Sequence, residues 1–252
     1  MLSAKPRGTT NIVEEIYLDL RHRILVGELK PGARLSGERE LAGRYKTNRN
    51  TLREAIRKLE HAKLVKVRHG QGVTVADFRR SGTLELIGPF LAIAPDPGES
   101  MRVLLDLLTA RLHILEMAVS LAAQRADAED TARLRHLAQA QTSLFDAEDR
   151  SALVHGELGF VEALVDASHS LAVRWIANTL LEVYRGLTEP ITELWVLEKT
   201  YPAYLRDLLY AIERHDAKLA LEATRDYYAR ADERLLKMLE LPEPPPARPG
   251  RS

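Results

Sequence analysis

The chain lacks cysteine, long apolar runs and the common catalytic motifs. Without cysteine it can form neither disulfide bonds nor thiolate metal sites. No uninterrupted apolar segment approaches the roughly 18 residues that cross a membrane, and the N-terminal segment lacks the apolar stretch of a signal peptide. A phosphate-cradling glycine loop, an H-E-x-x-H motif and a Ser/His/Asp order are also missing. We therefore expect a soluble, cytoplasmic protein that is not an enzyme.

Positive and negative charges are unevenly distributed along the chain. Its 36 Lys and Arg balance its 36 Asp and Glu, so the formal net charge at pH 7 is zero. Residues 1–80 nevertheless hold 18 Lys or Arg against 9 Asp or Glu, and residues 81–252 hold 18 against 27. This asymmetry indicates a nucleic-acid-binding head on an acidic body. The length of 252 residues allows one small and one medium domain.

Residues 36–75 contain two short helical patterns, a polar turn and a glycine-tipped hairpin, which together predict a winged helix-turn-helix. The second helix is predicted at residues 49–61. Its apolar residues recur at helical spacing and predict one buried stripe, and three arginines share the opposite face. The buried stripe is Leu52, Ala55, Ile56 and Leu59, and the arginines are Arg49, Arg53 and Arg57.

The N-terminal end of this second helix is polar and cationic. Asn48 is a predicted N-cap, and Asn50 and Thr51 lie in the first turn. In a helix-turn-helix this end enters the major groove, where arginine reads guanine and asparagine reads adenine. The strand patterns at residues 64–68 and 73–75 flank His69-Gly70-Gln71-Gly72 and predict a wing that can approach the DNA backbone closely.

These motifs resemble the DNA-binding domain of GntR-type bacterial transcription regulators. The matching segments are G-E-L-K-P-G-A-R-L at 27–35, E-R-E-L-A at 38–42 and R-N-T-L-R-E-A at 49–55. Within the family, T-L-R-E at 51–54 and His69-Gly70 resemble the FadR subfamily. The resemblance implies DNA contacts through Arg39, Arg49, Arg53, His69 and Gly70, with Thr51 on a phosphate. Asn48 and Asn50 stand where the family usually has Ser or Thr, and we include both among the candidate DNA-binding residues.

The remaining sequence predicts helices only, with the DNA-binding domain at residues 1–75 and a linker with a short helix at 76–98. An antiparallel helical bundle for effector binding and dimerisation is expected at 99–240, and a disordered proline-rich tail at 241–252. Pro202 is expected to kink the fifth bundle helix. The predicted bundle helices are 99–125, 128–145, 148–167, 170–191, 195–214 and 216–239. An all-helical domain of this size matches the FadR-type branch.

Many regulators of this branch bind a divalent metal through one Asp and three His inside the bundle. The matching positions here are Glu157, Val161, the pair Tyr204 and Leu205, and Tyr227, which offer no imidazole. The histidines of the body are expected at the surface or at helix ends, so we predict no bound metal and no cofactor. They are His113, His136, His155, His169 and His215.

An effector is expected in an apolar cavity of the bundle, with an arginine for its acidic group. Candidate residues are Arg111, Trp175, Tyr184, Tyr227 and Tyr228, although each of them could equally be core or interface packing. The effector could be a fatty acyl-CoA or another apolar acid, and the alternative is a regulator of carboxylate metabolism that responds to a small organic acid. The expected protein is a homodimeric repressor on a palindromic operator in double-stranded DNA. An architectural DNA binder without ligand control is a further alternative.

Overall fold

The computed structural model describes residues 9–68, 70, 72–94, 96–191 and 198–238. The chain divides into two compact units, Met1–Leu104 and Leu105–Ser252. The predicted tail at 241–252 and the wing residue His69 lie outside the described residues. None of the helices described is long and apolar enough to cross a membrane.

Three helices form the base of the first unit: α1 (Thr9–Leu25), α2 (Glu38–Arg44) and α3 (Arg49–His61). Ile16, Leu20 and Ile24 recur every four residues on α1, so they lie on one face of the helix, and all three are buried. They share a core with the predicted apolar stripe of α3, every residue of which is buried. This core holds α3 against α1 and leaves the opposite, arginine-bearing face of α3 in solvent.

The wing is a two-stranded antiparallel hairpin of β1 (Val65–Arg68) and β2 (Gly72–Val75). Arg68 pairs with Gly72 at the turn, where Gly70 and Gly72 have positive φ angles of 74° and 87°. Glycine adopts such angles without the steric cost that a side chain imposes. An isolated bridge between Arg34 and Thr74 adds a third segment beside the hairpin.

The segment after the wing is more ordered than a polar linker. It contains α4 (Phe78–Ser81), a 3₁₀ turn (Leu84–Leu86) and α5 (Ile87–Ile93). Leu86 and Phe90 are buried in the same core as the helix-turn-helix. The Phe78 and Phe90 rings lie 6.0 Å apart, in the range of favourable aromatic pairs. This segment therefore belongs physically to the first unit.

The second unit is helical wherever it is described, and no strand follows Val75 in the described part of the chain. His169 and His215 adopt left-handed conformations in two of the described turns between helices. The mostly helical fold with an N-terminal winged helix-turn-helix is thus confirmed. The helices are α6 (Pro97–Arg125), α7 (Ala128–Asp146), α8 (Arg150–Ala167), α9 (Leu171–Ile191), α10 (Tyr201–Glu213) and α11 (Ala217–Met238).

The expected kink at Pro202 is wrong. Thr200 is the N-cap of α10, which begins at Tyr201, so Pro202 lies in the first turn. The amide hydrogens of a first turn have no partner within the helix, and a proline there removes no helical hydrogen bond. Pro202 therefore lies in the first turn without bending the helix.

Candidate nucleic-acid interface and effector cavity

Asn48 fixes the start of the recognition helix α3. Its side-chain oxygen accepts a hydrogen bond from the backbone N–H of Thr51 across 2.9 Å, as the sequence predicted. Such a cap contributes about 1 kcal/mol to helix stability. The capping oxygen is therefore occupied, and the side-chain NH2 group of Asn48 remains for a DNA acceptor.

Exposed side chains surround this helix start. Arg39 projects from α2, and Arg49, Asn50 and Arg53 project from α3 into solvent. Among the described residues, Arg39 and Arg49 form no ion pair, whereas Arg53 binds the carboxylate of Glu38. A helix N-terminus with free guanidinium groups suits the phosphates and base edges of a duplex.

Thr51 does not share this exposure. The residue is only 2% exposed, on the buried face of α3. This burial does not suit the phosphate contact that the family resemblance implies for Thr51. Thr51, Ala55 and Leu59 recur every four residues, and this spacing was the sequence signal that could have placed Thr51 on the buried face.

The wing presents Gly70 and the basic side chains of Lys66 and Arg68 to solvent. Its base is attached to the recognition helix because the Glu60 carboxylate accepts a hydrogen bond from the backbone N–H of Val67 across 3.1 Å. The hairpin and α3 therefore form one connected surface. His69, the wing residue that the family resemblance selects, lies outside the described residues.

Tyr45 attaches the turn of the helix-turn-helix to α1. Its hydroxyl donates a 2.5 Å hydrogen bond to the carboxylate of Asp19. Burial, followed by this hydrogen bond, raises the pKa of the Tyr45 hydroxyl to about 12. The neutral tyrosine therefore persists well above its ordinary titration range.

The helical unit contains a mostly aliphatic cavity of about 40 Å³, measured as the space open to the centre of a water-sized sphere. A single water requires about 10–15 Å³ on this measure, so the cavity holds roughly three waters or a small chemical group. Two lining residues, Arg111 and Glu157, have side chains of a charged type. The others are Ile114, Leu115, Leu158, Val161, Val165, Ala177, Leu180, Leu181, Tyr184 and Tyr228.

Arg111 is the cationic group of the cavity. It binds the carboxylate of Asp232 on α11, and its guanidinium lies 4.6 Å from the centre of the Tyr228 ring and 5.9 Å from that of Tyr184. Burial opposes the charge of Arg111, but these neighbours outweigh it and raise the pKa of the guanidinium. Its Nε is buried and has no hydrogen-bond partner among the described residues.

Tyr228 and Tyr227 occupy adjacent positions with different roles. The Tyr228 hydroxyl donates a hydrogen bond to the buried carboxylate of Glu157 across 3.3 Å, at the cavity wall. Tyr227 lies behind this wall, where its ring stacks on Tyr204 with centroids 4.4 Å apart and an angle of 7°. Of the predicted effector residues, Arg111, Tyr184 and Tyr228 line the cavity, and Tyr227 supports it.

Trp175 does not belong to this group because it lies 68% exposed on α9. Val173, Ala177 and Leu181 face the core, and they recur every four residues. Trp175 lies two residues from Val173 and from Ala177, which places it on the far side of the helix. The periodicity of these three residues was the sequence signal that could have excluded it.

The four metal-ligand positions of the family come close together, but only Glu157 among them carries an Asp, Glu or His side chain. Glu157 and Val161 line the cavity, while Tyr204 and Tyr227 fill the adjacent space with stacked rings. Within the described part of the chain, three possible ligands meet only at Asp127, Asp130 and His169. The two aspartates form the capping box of α7, which explains their proximity without an ion.

Sequence reasoning did not assign Glu157 or Asp232 to the effector site. Asp232 is 121 residues from Arg111, and no short-range pattern relates the two positions. Glu157 occupies the first metal-ligand position of the family, and this correspondence was the one signal that pointed to the cavity.

An exposed recognition helix and wing, followed by a helical domain with a cavity, are the features expected of a DNA-binding transcription regulator. Residues 12–75 match the family described as bacterial regulatory proteins of the gntR family, and residues 106–230 match the FCD domain. The chain belongs to the GntR family and carries an FCD effector-binding domain.

Relatives match this chain over most of its length. The HTH-type transcriptional regulator Mce2R of Mycobacterium tuberculosis (strain CDC 1551 / Oshkosh) is 30% identical over 240 residues, which cover 94% of this chain and 97% of that protein. The Uxu operon transcriptional regulator of Escherichia coli (strain K12) is 25% identical over 236 residues, covering 89% and 86%. A solved structure of Lar, which controls the Listeria monocytogenes agr system, has a TM-score of 0.57 at 15% identity, covering 94% and 100%, and shows a shared fold.

Proposed function

We propose that the protein is a repressor of the FadR-type branch that binds a palindromic operator as a homodimer and releases it when an acidic effector enters the helical cavity. Two copies of one recognition helix read the two halves of a palindrome, which relates the symmetry of the operator to that of the dimer. Because such a regulator acts on the chromosome, the proposal includes a cytoplasmic location.

For the DNA contacts we propose Arg39, Arg49, Asn50 and Arg53, with the side-chain NH2 group of Asn48. The exposure of these side chains around one capped helix start supports the assignment. In the wing, His69 and Gly70 remain proposed contacts on the family resemblance. The wing backbone reaches a phosphate most easily at Gly70, which carries no side chain.

For the effector, one observation carries the proposal: Arg111 Nε is buried at the cavity and has no hydrogen-bond partner among the described residues. Leaving a buried donor unpaired costs about 1–3 kcal/mol. A carboxylate oxygen of a ligand in the cavity would accept a hydrogen bond from Arg111 Nε and so remove this cost. The surrounding aliphatic side chains favour a ligand whose remaining surface is apolar.

The size of the cavity distinguishes the candidate effectors. Its 40 Å³ suits a small carboxylic acid, whereas the long chain and nucleotide of an acyl-CoA would require the helices to separate. We therefore propose a small apolar carboxylic acid, with acyl-CoA as the competing candidate. This choice combines the two effector classes that the sequence suggested.

Arg111 also provides a way to couple the ligand to the protein. A ligand carboxylate on Arg111 competes with Asp232, which weakens the connection between α6 and α11. The ligand can change operator affinity only as far as it binds one arrangement of the protein, with the Arg111–Asp232 pair weakened, more tightly than the other, with the pair intact. Such differences are typically about 1–3 kcal/mol. We propose that this weakened connection reduces operator binding.

An operator duplex is first selected by the protein from a randomised pool. Fluorescence anisotropy of this duplex then tests the proposal. Short- and medium-chain monocarboxylic acids and a long-chain acyl-CoA are titrated separately into the complex. We expect a short-chain acid to weaken operator binding of the wild type and of Arg135→Gln, which changes an exposed arginine of α7. Arg111→Gln itself breaks the connection to Asp232, so it should bind the operator more weakly than the wild type without acid and show no further response to the acid. A response to acyl-CoA alone, or to no acid, would contradict the proposed effector class.

A further inference from the structure

Glu38 and Arg53 form an ion pair across the helix-turn-helix, between the first residue of α2 and the second turn of α3. Arg53 Nε lies 3.0 Å from each carboxylate oxygen of Glu38, and Nη2 lies 2.9 Å from Oε2. The carboxylate thus occupies one whole edge of the guanidinium. Arg53 nevertheless remains 55% exposed at the side chain, so the group can still meet a DNA duplex.

The pairing distinguishes Arg53 from the other proposed groove residues. Arg39 and Arg49 form no ion pair within the described part of the chain, and their long side chains can turn freely towards phosphates or bases. Arg53 has one guanidinium orientation fixed by Glu38. The carboxylate also raises the pKa of Arg53, chiefly through the hydrogen bond.

A guanidinium carries five N–H donors in a rigid plane. Glu38 uses the edge formed by Nε and Nη2, which leaves Nη1 and the outer hydrogen of Nη2 as a parallel pair. Two parallel donors match O6 and N7 of a guanine in the major groove. Because the side chain is already oriented, less conformational entropy is lost when this base contact forms.

The same carboxylate weakens contacts that carry no sequence information. Non-specific binding depends on unpaired cations that displace counterions from phosphates. Glu38 neutralises Arg53 locally, and its negative charge repels a phosphate that approaches the pair. The operator contact retains its geometry, whereas the general attraction to DNA loses one effective charge in each protomer.

We propose that Glu38 is a positioning residue that increases operator specificity by directing Arg53 to a base edge and away from phosphates. The inference rests on the proposed role of Arg53 in DNA binding. Removing the carboxylate should therefore raise affinity for random DNA and lower the ratio of operator to random-duplex affinity.

Glu38→Gln tests this inference, with Glu40→Gln as the matched control. Glu40 lies on the same helix but interacts with Ser36 and Arg44 instead of α3. Anisotropy titrations use the selected operator and a random duplex of equal length over a series of salt concentrations. Thermal melting followed by circular dichroism checks that each variant remains folded.

For Glu38→Gln we expect the operator-to-random ratio to fall about fivefold or more, at the low end of what one bidentate base contact contributes. The slope of log affinity for random DNA against log salt should steepen by about one per protomer. Glu38→Asp keeps the negative charge on a shorter side chain. Its operator-to-random affinity ratio should lie between those of the wild type and Glu38→Gln. Glu40→Gln should retain the wild-type affinity ratio.

An unchanged ratio and an unchanged salt slope in Glu38→Gln would overturn the positioning role. Arg53→Ala separates this failure from that of the proposed DNA contact. If Arg53→Ala weakens operator binding while Glu38→Gln behaves as wild type, Arg53 is a DNA contact that Glu38 does not orient. If Arg53→Ala also binds normally, the proposed contact itself is wrong.

Discussion

Arg111 on α6 forms an ion pair with Asp232 on α11, although 121 residues separate them in the chain. Their side chains are only 12% and 23% exposed, so water screens the pair weakly. The pair joins two helices of the second unit at the cavity. Its strength therefore bears on both the stability of this unit and its response to a ligand.

Asp232→Asn should destabilise the protein because it leaves the buried Arg111 charge without its carboxylate. We expect the free energy of unfolding to fall by about 2–4 kcal/mol, somewhat less than for a fully buried pair. Urea denaturation measures this loss. Asp207→Asn is the control, since Asp207 pairs with the neighbouring Arg206 in solvent and should contribute less than about 1 kcal/mol.

Two glycines of α8 differ in the space around them and make a matched pair. A Cβ at Gly156 would lie 1.7 Å from Nε2 of the buried Gln141, whereas a Cβ at Gly159 meets nothing within 4 Å. Gly159→Ala should stabilise the protein by up to about 1 kcal/mol because alanine favours a helix interior. Gly156→Ala must displace Gln141, which should cost about 1–3 kcal/mol and offset the helical gain.

Thermal or urea unfolding of both alanine variants tests this difference. The prediction would be wrong if Gly156→Ala were as stable as Gly159→Ala, because Gln141 would then move away without cost.

Tyr45 should make a pH-dependent contribution to stability. The pKa of its hydroxyl is raised from 10.0 to about 12 in the folded protein, mainly by burial and then by Asp19. A raised pKa means that folding favours the protonated hydroxyl, so its stabilisation is complete below pH 10 and is lost as the pH rises towards 12. Because the side chain is partly exposed, we expect a contribution of only about 1 kcal/mol after solvent screening.

Urea denaturation of wild type and Tyr45→Phe across this alkaline range measures the contribution. The wild type should lose more stability than Tyr45→Phe, which has no hydroxyl to titrate. Tyr210→Phe, which removes an exposed hydroxyl, should lose as much stability as the wild type when the pH rises. Parallel stability curves for all three proteins would show that the Tyr45 hydroxyl does not contribute.

Features that repeat along the chain could be predicted from the sequence. Leu52, Ala55, Ile56 and Leu59 define the buried face of α3 by their spacing alone, and Asn48 identifies its start because a capping side chain acts within three residues. The hairpin follows from β-branched runs around Gly70 and Gly72. Each of these signals is local, and tertiary packing agrees with it.

Features that depend on tertiary placement could not be read in this way. Thr51 and Trp175 are a different case, because the four-residue spacing along α3 and α9 indicated a buried Thr51 and an exposed Trp175, although the family motif and the residue type suggested the reverse. The ion pair between Arg111 and Asp232 depends on how α6 and α11 pack together. Pro202 lies in the first turn of α10, and proline alone does not distinguish a helix start from a kink.

The operator affinity of Arg49→Ala tests the central claim most directly. Arg49 is exposed at the start of the recognition helix and forms no ion pair among the described residues, so the substitution removes a DNA contact without breaking a described ion pair. Anisotropy titration should show a loss of about 1–3 kcal/mol in operator binding, with reduced discrimination at one base position. Arg135→Ala removes an exposed arginine of α7 and should bind normally. Operator affinity of Arg49→Ala equal to that of the wild type would contradict the assignment of this helix to the DNA groove.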